Sequence, residues 1–214
     1  MKGSVFIKPI MNYYGEFTII LNSQIENLLG KLLYLNMKVH KGMRPHDIAV
    51  LLKIIAFGEK EWLGKEIANE LILSKSAVCE SIARSTYAGL LAKDKRTVNR
   101  TALYGFLVDG LKFVFPIQAG TVAMGLPTAS VAPILRDYFP MEEVYVWPAV
   151  SGETRGLLIE PLYPGAVSAS KLDPILYDLL AICDVIRIGK PKEIKKATEL
   201  LGNIFGQGED YISC

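Results

Sequence analysis

The chain has 214 residues, 50% of them hydrophobic and 21% charged, which is enough apolar material for one full core or two small ones. A formal net charge of +2 is too mild to announce a nucleic-acid or membrane-surface partner from the whole chain, so electrostatic arguments must rest on local clusters. Cys79, Cys183 and Cys214 fit no disulfide framework, CxxC pair or zinc spacing, and no long apolar run or cleavable leader is evident; reduced thiols, a cytoplasmic location and no membrane span are expected.

Residues 1–43 read as an N-terminal extension. Short β-prone runs, Val5 to Ile7 and Phe17 to Leu21, are mixed with Gly3, Pro9 and Gly15 and match no motif. From Ser23 the spacing Ser23-Gln24-Ile25-Glu26 is that of a capping box, and Ile25, Leu28, Leu29, Leu32 and Leu33 form the stripe of an amphipathic helix, suited either to a core or to a dimer contact. A start at Met37 or Met43 is the other reading of this stretch.

A helix is expected from Arg44-Pro45-His46-Asp47, since proline is tolerated in a first turn; Ile48, Leu51, Leu52 and Ile55 supply its stripe and Gly58 its end. His46 and His40 have no carboxylate or cysteine companion at metal spacing and are read as solvated. A second helix follows Trp62, with Ile67, Ala68 and Leu71 inward. Ser74 then offers a hydroxyl to an amide two or three residues on and opens a third. In that helix Val78 and Ile82 face inward, while Ser74, Lys75, Ser76, Cys79 and Glu80 fall outside. Polar side chains at the N-terminal end of a helix suit entry into the major groove.

These residues resemble the winged helix-turn-helix regulators of the MarR-like kind. Ile67-Ala68, Leu71-Ile72-Leu73-Ser74, Ser76-Ala77-Val78, Ile82, Arg84 and Ala88-Gly89-Leu90-Leu91 carry the likeness. Glu80 stands where a basic residue is usual and Ser85 where a core leucine is usual. The resemblance implies a winged-helix domain over residues 44–115 that binds double-stranded DNA as a homodimer. It makes Ala92-Lys93-Asp94-Lys95-Arg96-Thr97-Val98 a small wing. Ser74, Lys75, Ser76 and Glu80 would then serve the reading helix, with Arg84, Lys93, Lys95, Arg96 and Arg100 on phosphates. The plainer alternative is a helical hairpin with structural or docking work only.

Asn99 caps a further helix with Leu103, Phe106, Leu107 and Leu111 inward, stopped by Pro116. Residues 116–214 read as an accessory α+β region. Within it, Ile117 to Pro140, rich in Gly, Ala, Pro and Thr, reads as a long ordered loop; Gly120 and Gly125 have the first spacing of a phosphate-binding loop, but Leu126-Pro127 replaces the required Lys-Ser/Thr. Val144 to Trp147 and Gly156 to Ile159 read as a β-hairpin through Ser151-Gly152-Glu153-Thr154. Asp173-Pro174 opens a helix with Ile175, Leu176, Leu179, Leu180, Ile182, Cys183 and Ile186 on its apolar face, and Pro191 opens the last, with Ile194, Ala197, Leu201 and Ile204. The stretch Asp184 to Glu193 loosely resembles a turn in winged-helix proteins encoded beside bacterial nucleotidyltransferases. Lys190, Lys192, Lys195 and Lys196 around it read as a solvated helix face.

No Gly-x-Ser-x-Gly elbow, Ser/Cys–His pairing, paired-carboxylate constellation or metal cluster stands out, so neither catalysis nor a cofactor is expected. The expectation is a mainly α, α+β protein: a winged helix-turn-helix followed by a β-hairpin and two helices, acting as a DNA-binding transcriptional regulator. The competing expectation is a protein-interaction module, such as an antitoxin-like partner of a nucleotidyltransferase.

Overall fold

The structure, a computed structural model, describes residues 10–11, 17–18, 42–140 and 142–206. The chain divides into two units, 1–40 and 41–214. In the first, β1 (Ile10–Met11) pairs antiparallel with β2 (Phe17–Thr18). The amphipathic helix expected from Ser23, His40 and Cys214 lie outside the described residues.

The second unit is α+β and is built around α1 (Pro45–Phe57). Pro45 occupies the first turn, where its missing N–H costs nothing, and the Asp47 carboxylate accepts the Arg44 N–H at 2.8 Å. Gly58, at φ +62°, ends the helix as expected and donates its N–H to the Ile55 carbonyl. The sequence suggests a one-sided stripe; instead every residue from Asp47 to Ile55 is buried. A run of Ile, Ala, Val and Leu with so few polar side chains gives a helix that can be packed on all sides.

Next come α2 (Gly64–Glu70) and α3 (Lys75–Tyr87). The Leu63 N–H is capped by Glu66 at 2.8 Å, and Ile67, Ala68 and Leu71 are buried as read. Ser74 caps α3 by accepting the Ala77 N–H at 3.1 Å. Between the two helices Ile72 is 56% exposed and sits at φ +55°, a left-handed conformation that a β-branched side chain disfavours. After α3, a single bridge, Leu91 opposite Val98, closes a short turn.

Asn99 caps α4 (Arg100–Gly105), accepting the Ala102 N–H at 3.2 Å; a π-helical turn (Phe106–Gly110) leads on into α5 (Leu111–Val114). Leu103, Leu107 and Leu111 are fully buried. Spaced by four, they would drift around a regular α-helix; the wider π turn takes up the drift.

The stretch read as a loop holds a strand, β3 (Val122–Thr128), followed by a 3-10 turn (Ala129–Val131). The expected hairpin is also corrected. β4 (Tyr145–Pro148) and β5 (Thr154–Leu158) run parallel, with Tyr145 opposite Leu157, and each pairs antiparallel with β3. The three strands therefore close on one another. Gly125 and Pro127 look like strand breakers, yet the closure needs Gly125: a Cβ there would lie 2.2 Å from the Trp147 carbonyl oxygen.

Helix α6 (Ala166–Leu172), for which the sequence raised no expectation, lies against α7 (Pro174–Ile188), which packs on the 3-10 turn after β3 and meets the barrel through Trp147; α8 (Pro191–Phe205) packs on α7 and α4. Asp173 caps α7 through the Ile175 and Leu176 amides. The apolar face of α7 is buried as expected except for Ile175, which is exposed. On α8, Ala197 and Leu201 are buried, and Ile194 and Ile204 half-buried. At the centre of the barrel-helix contact, the fully buried Asp184 carboxylate accepts from Trp147 Nε1 at 2.6 Å, Thr128 Oγ1 at 2.9 Å and Arg187 Nη1 at 2.8 Å. Burial pushes that carboxyl above its ordinary pKa, with Arg187 and the two neutral donors pulling against it. The stretches expected as two domains, 44–115 and 116–214, share one hydrophobic core.

The strain at Ile72 generates a prediction. Ile72→Asn, which tolerates the left-handed conformation and sacrifices little burial, should raise unfolding stability by about 1 kcal/mol in urea denaturation. A loss of stability would show that the Ile72 side chain matters more than its backbone.

Candidate nucleic-acid interface

Helix α3 is held from behind by a charged cluster. Arg84 is only 8% exposed and grips Asp47 with two donors, Nε to Oδ2 at 2.8 Å and Nη2 to Oδ1 at 2.7 Å. Its Nη2 also lies 3.1 Å from His46 Nε2, and its Nη1 lies 3.3 Å from Glu80 Oε2 one turn earlier on α3. A guanidinium has only donors, so His46 Nε2 must accept there, which requires a neutral ring. Burial holds the His46 pKa below its ordinary value; Arg84 and Arg44 add to that and Asp47 opposes it. Burial alone would raise the Asp47 carboxyl, but the hydrogen bonds from Arg84 and the Arg44 N–H bring it below its ordinary range.

This cluster corrects two expectations. The resemblance assigns Arg84 to phosphate, but Arg84 is engaged inside the fold. The sequence reads His46 as solvated, but its ring is half-buried against the guanidinium. The Asp47–Arg84 pair spans 37 residues of sequence, so no local spacing announced it.

In front, the exposed residues of α3 are Lys75, Ser76, Cys79, Glu80, Ala83 and Tyr87, a single face at helical spacing. Ser74, Lys75, Ser76, Cys79 and Glu80 stand outside as read from the sequence, with the Ser74 hydroxyl already engaged in capping. Val78 is fully buried and Ile82 half-buried, which turns that face outward. Ser85, at the position of the missing leucine, is buried, and its hydroxyl finds no hydrogen-bond partner among the described residues.

The turn after Leu91 is organised by Asp94. Its carboxylate accepts the Arg96 N–H at 2.8 Å, the Thr97 N–H at 3.0 Å and the Thr97 hydroxyl at 2.6 Å, which leaves Lys93 and Lys95 exposed at the tip. Arg96, expected on phosphate, lies over the Trp62 ring at 4.7 Å and donates to the Trp62 carbonyl. Arg100, with the same expected role, reaches the Ile204 carbonyl at 3.1 Å near the C-terminal end of α8, where a cation is favoured. Of the basic residues assigned to DNA, then, Lys75, Lys93, Lys95 and Arg96 are exposed, Arg96 with its guanidinium already on Trp62, whereas Arg84 and Arg100 are turned to partners within the fold.

Elsewhere, Lys190 pairs with Glu142 at 2.8 Å and Lys196 with Glu199 at 2.7 Å, consistent with a solvated helix face. Among the described residues, no group of three or more His, Cys, Asp or Glu is placed to hold a metal ion, and no helix is long and apolar enough to cross a membrane. Comparisons with protein-family models, with curated proteins and with solved structures return no match for this chain.

Two predictions follow from the cluster behind α3. Arg84→Ala should destabilise the protein by about 3 to 5 kcal/mol, because it leaves the buried Asp47 charge without its cationic partner; Lys93→Ala and Lys95→Ala should leave the melting temperature unchanged. Equal effects from all three would place Arg84 on the surface after all. The second concerns acid. With the His46 pKa below the ordinary 6.5, the unfolded chain binds this proton first. The stability tied to a neutral His46 is therefore complete above that value and is lost as pH falls from it towards the folded pKa. His46→Gln should flatten that limb of the melting temperature against pH; an unchanged slope would locate the titration elsewhere.

Proposed function

We propose that residues 44–115 form a winged helix-turn-helix that binds double-stranded DNA, and that the protein is a cytoplasmic transcriptional regulator acting as a homodimer. The observation that carries this reading is the division of α3 into two faces. Its back is fastened by the Asp47–Arg84 pair and buried Val78, while its N-terminal front offers Lys75, Ser76 and Glu80 to solvent beside a turn that displays Lys93 and Lys95. A rigid helix with short polar side chains at its start suits base edges in the major groove, and a cationic turn next to it suits the phosphate backbone. One such head covers a half-site, so two copies are needed for a palindromic operator.

A second reading, a protein-interaction module such as an antitoxin-like partner of a nucleotidyltransferase, draws support from the same surface. Three of the expected phosphate contacts, Arg84, Arg96 and Arg100, are occupied within the protein, and Glu80 adds a negative charge to the outer face. Phosphate neutralisation per subunit would be modest on that account.

A gel-shift titration on the chain's own upstream region separates the two. Wild type should bind at about 50 mM salt, and the Lys93→Ala/Lys95→Ala variant should reduce the slope of log affinity against log salt by about 1.8 per subunit, since each lost phosphate contact removes about 0.9. No binding by wild type, together with co-purification of the neighbouring gene product without DNA, would replace the regulator reading with the interaction reading.

A further inference from the structure

The front of α3 carries one side chain that does not belong on a surface built only to grip phosphate. Glu80 is exposed over 58% of its side chain and stands on the same face as Lys75, Ser76, Cys79 and Ala83. Resting on the DNA-binding reading above, we propose that Glu80 is a base-reading residue that accepts a hydrogen bond from the exocyclic amino group of a cytosine in the major groove.

Three features of the site carry this assignment. First, the residues beside Glu80 on that face are short: Ser76, Cys79 and Ala83, with the larger Lys75 and Tyr87 further along the helix, let the helix approach the groove floor at Glu80, so a glutamate reaches base edges and not only the backbone. Second, the carboxylate does not meet the DNA as an unbalanced charge. Its Oε2 accepts from Arg84 Nη1 at 3.3 Å, and Arg84 is itself fixed by two hydrogen bonds to the buried Asp47. The guanidinium behind Glu80 offsets part of its repulsion from phosphate and restricts where the carboxylate can swing. Third, Oε1 has no hydrogen-bond partner among the described residues, which leaves an acceptor for a ligand.

The chemistry of base edges then selects the partner. A carboxylate offers acceptors only. Guanine presents N7 and O6 acceptors, thymine an O4 acceptor and a methyl group, and adenine pairs its amino donor with an N7 acceptor that repels a carboxylate. Cytosine presents its amino donor without an acceptor on the same base.

The test uses the full chain, wild type and Glu80→Gln, in selection from a randomised duplex library, followed by titration on the selected duplex and its single-base variants. Wild type should prefer cytosine at one position by about tenfold. Glu80→Gln should move that preference to adenine, because an amide supplies both a donor for N7 and an acceptor for the amino group, or should flatten it, with the other positions unchanged. Identical preferences at every position in the two proteins would overturn the assignment. So would a Glu80→Gln protein that binds all duplexes more tightly and alike, which would set Glu80 against a phosphate. If wild type retains no duplex at about 50 mM salt, the DNA-binding reading fails first and takes the Glu80 assignment with it, a result distinct from binding with unchanged preference.

Discussion

The architecture of residues 41–214 depends on a helix with no solvent face that nevertheless contains two charges. Asp47 and Lys53 are both buried within α1 and are answered by different parts of the chain: Asp47 by Arg84 on α3, Lys53 by Glu70 at the end of α2 and by Asp173 at the start of α7. Burial alone would lower the Lys53 pKa, but the two carboxylates more than offset it and raise it. Apolar contact supplies the drive to bury α1. The charges constrain how it is buried, because an interior charge without its partner costs several kcal/mol and a packing that separates either pair strands one.

The same arrangement prepares the outer surface of α3. A helix that reads another molecule gains from being rigid before contact, since ordering it on binding would consume affinity. Here Val78 and the Arg84–Asp47 pair hold α3 from behind, and Lys75, Ser76, Cys79 and Glu80 stand on the exposed face in front. Asp173 links this region to the barrel half by serving twice: it caps α7 through two backbone amides and holds Lys53 of α1. Gly165 continues the contact, for a Cβ there would lie 2.7 Å from the Leu71 carbonyl in the turn between α2 and α3.

What was legible in the sequence was local. Pro45, Ser74, Asn99 and Asp173 act within three residues of themselves, and each opens the helix that its chemistry announced. What escaped was non-local. β3 hides behind Gly125 and Pro127, whose roles appear only once β4 and β5 close around them, and the parallel pairing of β4 with β5 cannot be seen in two runs that a turn seems to join. The site failed to read through for the same reason. Arg84, Arg96 and Arg100 look alike as surface cations, yet their partners lie 37, 34 and 104 residues away, and a basic residue with a distant acceptor is indistinguishable in sequence from one awaiting phosphate. Lys75, Lys93 and Lys95 are exposed and meet no such acceptor among the described residues.

The claim that α1 binds both halves into one cooperative core is open to a direct measurement, because the chain has two tryptophans, one in each half. Trp62 lies beside α2 and Trp147 on β4. In Trp147→Phe and in Trp62→Phe, urea unfolding would be followed both by the fluorescence of the remaining tryptophan and by far-ultraviolet circular dichroism. A single core predicts that the two signals superimpose in each variant, whatever the shift in midpoint. Fluorescence of Trp62 completing its change at a urea concentration different from that of the helical signal would show two independent folding units and contradict the account.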